Sequence, residues 1–273
     1  MRSSNPPRDL ARGVAALLDE RRLLLLIRVL SPVVAIGVWE LVAWWVDSPA
    51  SVPDFQTTVR ALWSLGHQHI FWSAVLQTLR ITAEGIVLAI AIGIPIGILM
   101  GISRAADAFL SGYVNVFNAM PRIVLIPLFV VWFGIGSTSK IVVVLVSAIF
   151  PTIINTYIGI TSVEDDHKEL ARSYCASRLQ EIVHISLPTA VPSILGGVRL
   201  SIGHGVVGAI TAELLLAESG IGGLITTYNN ILATASVYAL VIVLAVIGVA
   251  FVYIGNIPYR LMQRRRRRWV VEQ

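Results

Sequence analysis

The sequence predicts an all-α polytopic membrane protein, on the basis of its composition, its long apolar segments and the placement of its basic residues. Of 273 residues, 56% are hydrophobic and 14% are charged, with a mean hydropathy of +0.77. A soluble domain usually carries about 25% charged residues, so a bilayer is the expected environment. The net charge of +5 does not indicate nucleic-acid binding, because the basic residues cluster at the chain ends, where they attract anionic lipid.

Six segments are predicted to cross the membrane, since a helix needs about 20 mostly apolar residues to do so. They cover residues 29–46, 82–102, 108–133, 141–160, 190–212 and 237–257. The third segment is interrupted by Pro121, Arg122 and Pro127, which a membrane helix tolerates where neighbouring helices satisfy the freed carbonyls.

The distribution of Lys and Arg predicts that both termini are cytoplasmic. Residues 1–28 hold six basic residues, residues 258–273 hold six more, and four others fall in segments on the same side, so that 16 of 21 lie inside. We therefore expect three regions: a cytoplasmic segment at 1–28, a transmembrane domain at 29–257 and a basic cytoplasmic tail at 258–273. The cell inner membrane is the expected location.

The cytoplasmic loop at 161–189 carries the pattern of two short helices. Ser162 with Asp165, and Ser177 with Gln180, have the spacing of a capping box, and Pro188 is expected to end the second helix. An amphipathic pair of this kind favours docking into a partner protein. The alternative, a helix lying on lipid, favours basic residues, whereas this loop has five acidic residues against three basic ones.

Residues 169–188 resemble the EAA loop of ABC importer permeases, whose pattern is E-A-A-x3-G-x9-I-x-L-P. Leu170 stands at the middle Ala of that pattern, and Cys175 replaces the Gly that turns the chain between the two helices. The resemblance implies that eight residues contact a separate ATPase: Glu169, Ala171, Tyr174, Cys175, Ala176, Ile185, Leu187 and Pro188.

Other stretches resemble the branch of this family that imports nitrate, sulfonates, taurine and related compounds. They include residues 93–101, 118–122, 132–141 and 212–223. The resemblance implies a homodimer that binds cytoplasmic ABC ATPase subunits and a periplasmic or lipid-anchored substrate-binding protein, which docks on an outer face at 47–80, 134–140 and 218–236. ATP and Mg would be bound by the ATPase. Anionic, amino-sulfonate and pyrimidine-type solutes remain alternatives.

Motifs for chemistry within the chain are weak. Residues 134–140 superficially resemble a phosphate loop but lack a Gly before the Lys and a preceding strand. The alternative function is an intramembrane protease or another six-span membrane enzyme. Ser201 and His204 are a possible pair for such a protease, although no oxyanion motif accompanies them. We expect no metal site, no ion-selectivity filter and no enzymatic activity.

Polar residues within spans are costly and therefore candidates for function. Asn118, Arg122, His204 and Glu213 are the candidates for a translocation pathway. Arg122 is predicted either to attract an anionic solute or to pair with Glu84 or Glu213, and Glu213 is expected near the outer end of its span, where it can be solvated. Gly97 and Gly101 have a small-xxx-small spacing, for which packing within one subunit is favoured over a dimer seam.

Overall fold

The structure is a computed structural model that describes residues 27, 30–163, 173–174, 176–217 and 219–271, without the side chains of residues 258, 260, 261 and 263–271. The described residues form α-helices joined by short turns. In chain order these are α1 (Leu30–Val46), α2 (Phe55–Gly66), α3 (His69–Ile102), α4 (Arg104–Ala119), α5 (Ile126–Phe133), α6 (Ser137–Thr161), α7 (Arg178–Leu216), α8 (Gly220–Asn230) and α9 (Thr234–Val271).

Four helices in the described residues are long and apolar enough to cross a bilayer, namely α3, α6, α7 and the part of α9 up to Ile257. The predicted third span is broken, as expected, into α4 and α5, which meet at a bend of 100° through a short 3₁₀ turn at Arg122–Leu125. The predicted first span corresponds to α1, a shorter helix of about 26 Å, slightly less than the hydrocarbon core.

Helices α3 and α6 run parallel and pack through a stripe of small residues. Gly85, Ala89, Gly93, Gly97 and Gly101 of α3 face Val144, Ala148, Thr152, Thr156 and Ile160 of α6 in constant register. A Cβ atom at Gly97 would lie 2.6 Å from the Ile153 carbonyl oxygen, and one at Gly101 would lie 2.6 Å from Ile160 Cγ2. The Gly97–Gly101 spacing therefore serves packing within the subunit, as predicted.

Helix α7 begins where the sequence predicts it but does not end at Pro188. Ser177 and Gln180 form the expected capping box, with Ser177 N donating to Gln180 Oε1 at 2.8 Å and Gln180 N donating to Ser177 Oγ at 3.3 Å. The helix then passes through a π segment at Ile182–Ser186, in which Leu187 N donates to Ile182 O. This wider turn directly precedes Pro188, and such local changes of hydrogen bonding let a membrane helix continue through proline.

Consequently the second loop helix and the predicted fifth span are one continuous helix of 39 residues, longer than the expected span at 190–212. It runs antiparallel to α6, with Gly197 against Asn155 and Gly208 against Ser147. Most of the first predicted loop helix, which begins at Ser162 and includes Tyr174, falls on residues 164–172, outside the described residues.

The C-terminal half of α1 is hydrogen-bonded to the segment that follows it. Trp39 Nε1 donates to Pro53 O at 2.9 Å, and the Trp39 ring packs edge-on against Phe55. Glu40 Oε1 accepts from Phe55 N at 2.9 Å, so that a carboxylate from one helix satisfies an amide at the start of α2. Most other side chains of α1 are exposed.

Candidate functional site

A buried polar network joins α3, α6, α7 and α8 at one end of the bundle. Glu213 has 0% exposure, and its carboxylate accepts from Thr78 Oγ1 at 2.8 and 2.9 Å and from Gly222 N at 3.0 Å. Thr78 Oγ1 in turn accepts from Ile221 N at 3.0 Å. Two amides at the start of α8, which have no partner within that helix, are thus satisfied by side chains of other helices.

Lys140 completes this network from α6. Its side chain also has 0% exposure, and Nζ donates to Ser219 O at 3.0 Å and to Ser219 Oγ at 2.7 Å. Gln77 Nε2 donates to the same hydroxyl at 2.7 Å. A buried ammonium requires compensation of this kind, so Lys140 and Glu213 together hold the turn before α8 against the bundle.

Two glycines allow the close approach of α8 to Glu213. Gly220 has φ +85°, and a Cβ atom there would collide with the Glu213 carboxylate. A Cβ atom at Gly222 would lie 2.5 Å from Glu213 Cβ. The Ser-Gly-Ile-Gly-Gly segment at 219–223 therefore leaves room for the buried Glu213 carboxylate.

This placement corrects two predictions for Glu213. The side chain is not solvated, and it does not pair with Arg122. Lys140 was predicted only as part of the outer face at 134–140, and its burial in this network was not predicted. The sequence signal for this network was a lysine at the start of an apolar helix and an acidic residue in a distant span. Which residues meet is decided by tertiary packing, because Lys140 contacts Ser219, 79 residues away, and Thr78 contacts Glu213, 135 residues away.

The other three pathway candidates lie together at the break between α4 and α5. Arg122 Nη1 and His204 Nδ1 are 3.1 Å apart, and Arg122 Nη2 is 3.5 Å from Asn118 Oδ1. Asn118 and His204 are exposed on this chain, and Arg122 is half-buried. The predicted pairing of Arg122 with Glu84 is also wrong, because Glu84 Oε1 accepts from Arg80 Nε at 2.6 Å.

Ser201 and His204 do not form a hydrolytic pair. Ser201 is buried and its hydroxyl lies 2.6 Å from Thr152 Oγ1, where it links α7 to α6. His204 contacts Arg122 on another face of the same helix. The protease alternative is therefore not favoured.

The predicted coupling residues are described only in part. Glu169, Ala171 and Cys175 lie outside the described residues. Tyr174 is 82% exposed, and Pro188 is exposed as well. Ala176, Ile185 and Leu187 are half-buried.

The start of α7 is attached to the end of α3. Arg178 Nη2 donates to Ile102 O at 3.1 Å. Beside this contact is a cavity of about 850 Å³ with a largely polar lining that includes Arg104, Asp107, Tyr157 and Glu181. The loop end of α7 is thus hydrogen-bonded to the end of α3, and it faces the ends of α4 and α6 across this cavity.

These features define a polytopic α-helical membrane protein with a broken span and a cationic side chain at the break. The chain belongs to the family described as the binding-protein-dependent transport system inner membrane component, which matches residues 93–268. Members of this family are ABC transporter permease subunits, which are transporters rather than enzymes.

Among curated proteins, the chain is similar to the taurine transport system permease protein TauC of Escherichia coli, with 32% identity over 240 residues that cover 84% of this chain and 86% of that protein. It is also 32% identical to the putative aliphatic sulfonates transport permease protein SsuC of Bacillus subtilis, over 88% of this chain and 86% of that protein.

Solved structures share the fold. A chain of the inward-facing MetNI methionine ABC transporter superposes with a TM-score of 0.59 at 23% identity, covering 69% of this chain and 94% of that one. A chain from a bacterial alginate ABC transporter, in complex with a periplasmic protein bound to alginate pentasaccharide, gives a TM-score of 0.56 at 18% identity and covers 93% of this chain and 96% of that one.

Proposed function

We propose that this chain is the permease subunit of an ABC importer for a small anionic or sulfonate-like solute, driven by a separate ATPase that docks on the loop at 161–189. The observation that carries the proposal is the family match together with an EAA-like sequence in the loop that leads into α7. The curated relatives with 32% identity are named for taurine and aliphatic sulfonates, which are small sulfonates.

Helix α7 directly connects the predicted ATPase-docking loop to the buried polar network around Glu213. It runs without interruption from Arg178, beside the predicted ATPase contact, past His204 to Glu213 and Leu216. A helix of 39 residues is about 58 Å long. Movement of its loop end would therefore tilt the same helix that carries one pathway candidate and one part of the buried network.

Several partners complete the proposal. A second copy of the chain supplies the other half of the pathway, and each copy binds one cytoplasmic ATPase, which holds ATP and Mg. A periplasmic or lipid-anchored substrate-binding protein delivers the solute to the outer face. The proposed location is the cell inner membrane, with six crossings and both termini in the cytoplasm.

Glu169→Arg tests the docking claim. The tagged chain is co-expressed with a candidate ATPase encoded beside it, and the ratio of ATPase to permease is measured after purification. Reversing the charge of the predicted anchor should lower this ratio roughly tenfold, as expected for losing a charge-assisted contact. Glu164→Arg is the matched control, because it makes the same change in the same loop outside the EAA pattern.

Undiminished complex and full transport with Glu169→Arg would refute docking through this loop. Equal losses with Glu164→Arg and Glu169→Arg would also contradict it, because they would indicate a general effect of charge on the loop rather than a contact made by the motif.

A further inference from the structure

The guanidinium of Arg122 has no carboxylate partner among the described residues. Its contacts are the ring of His204 and the amide oxygen of Asn118, both uncharged groups in this arrangement. Arg122 Nε is buried and has no hydrogen-bond partner in the described part of the chain. By contrast, Arg80 is neutralised by Glu84.

The hydrogen bonds among Arg122, His204 and Asn118 leave further donors available on these three side chains. Arginine only donates, so His204 Nδ1 must accept from Arg122 Nη1 and the neutral ring carries its hydrogen on Nε2. The Asn118 oxygen faces Arg122 Nη2, which leaves the amide NH₂ to donate. One positive charge is therefore surrounded by neutral donors.

The cluster lies near the middle of the membrane-spanning part of the bundle. His204 is 12 residues before the end of α7 at Leu216, a rise of about 18 Å, and Arg122 meets it from the break between α4 and α5. Non-helical backbone and an arginine at this depth are tolerated where they line a water-filled cavity or are covered by protein. Asn118 and His204 are exposed on this chain, so a polar face at this depth is expected to be covered by protein or water rather than by lipid.

We propose that Arg122, His204 and Asn118 form a binding site for a monoanionic oxyanion, such as a sulfonate. That this anion is the transported solute rests on the proposed function, whereas the site itself rests on the geometry. A sulfonate presents three acceptor oxygens to the donors, and its single negative charge matches the single charge of Arg122. A dianion would leave one negative charge uncompensated at this depth, so sulfate is predicted to bind more weakly.

Binding can be measured on the purified full chain in lipid nanodiscs, from the shift of its melting temperature followed by tryptophan fluorescence. The probes are sodium ethanesulfonate, neutral ethanesulfonamide of the same size, and sodium sulfate, all at matched ionic strength. Ethanesulfonate should stabilise the wild-type chain, ethanesulfonamide should not, and sulfate should act only at higher concentration.

Three variants locate the site. Arg122→Gln should raise the half-saturating concentration of ethanesulfonate at least tenfold, since it removes the charge that strengthens these hydrogen bonds. Arg122→Lys should retain most of the response because it keeps the charge. Arg80→Gln is the control, because it removes another arginine of the bundle that does not touch His204.

An equal response of Arg122→Gln and wild type, or no response of wild type to ethanesulfonate, would overturn the site. The proposed function is tested separately, by ATP-driven uptake of labelled taurine with the ATPase and binding protein reconstituted. Uptake that persists while Arg122→Gln binds normally would refute the anion site and leave the importer role standing. Anion binding without any ATP-driven uptake would refute the importer role alone.

Discussion

Gly97 of α3 lies so close to Thr156 of α6 that a Cβ atom on the glycine would come within 2.6 Å of the threonine Cβ atom. The same contact recurs along the two parallel helices at Gly85, Gly93 and Gly101. Backbones approach this closely only where side chains are small, which is how membrane helices associate without a hydrophobic driving force.

The first prediction concerns this seam. Gly97→Val should reduce the free energy of unfolding by about 1–3 kcal/mol, because the added atoms overpack a close contact. Gly112→Val in α4 is the control, since no atom lies within 4 Å of a Cβ atom there. Thermal unfolding of the two purified variants compares them, and equal melting temperatures would show that the seam tolerates larger side chains.

The second prediction distinguishes two reasons for a glycine at position 220: its backbone conformation and its close contact with Glu213. Gly220 and Gly134 have φ values of +85° and +76°, but only Gly220 faces the Glu213 carboxylate. Each change to alanine should cost about 1–3 kcal/mol, because both glycines have a positive φ that alanine rarely adopts, and Gly220→Ala should cost a further 1–3 kcal/mol for overpacking. Comparable losses of thermal stability in both variants would argue against the close contact.

The third prediction concerns the buried carboxylate. Glu213→Gln keeps one acceptor oxygen for Thr78 and Gly222 but removes the negative charge that strengthens both hydrogen bonds, and it should cost about 1–3 kcal/mol. Glu84→Gln is the matched control at the more exposed Arg80–Glu84 pair. Unfolding in denaturant measures both, and the account fails if the Glu84 variant is the less stable one.

The fourth prediction concerns the start of α7. Ser177→Ala removes the capping box and should destabilise the first turn by about 1 kcal/mol. Amide hydrogen exchange at residues 178–181 should then be faster by roughly fivefold. Ser177→Asp should restore protection, because aspartate also caps helices. Protection unchanged by the alanine would mean that tertiary contacts alone hold this turn.

Sequence reasoning predicted those parts of the fold that depend on local patterns. Apolar length identified the long spans, Pro121 and Pro127 identified the break in the third span, and Ser177 with Gln180 identified the start of α7. Each of these signals is contained within a few turns of helix, so no knowledge of distant packing is needed.

The same reasoning failed where the outcome depends on contacts between distant segments. Pro188 does not end α7, because the preceding π segment changes the hydrogen-bonding pattern. Glu213 is buried rather than solvated, because Thr78 and α8 close around it. Arg122 meets His204, 82 residues away, and this pairing is fixed by how the break in one span packs against another helix.

The most direct test of the account uses Cys175, the single cysteine of the sequence, which lies in the predicted coupling loop. A membrane-impermeant maleimide should label it in inside-out vesicles but not in intact spheroplasts. Adding the cognate ATPase should protect it from labelling. Labelling from the outer side, or labelling that the ATPase leaves unchanged, would contradict the claim that this loop is the cytoplasmic docking site of the ATPase.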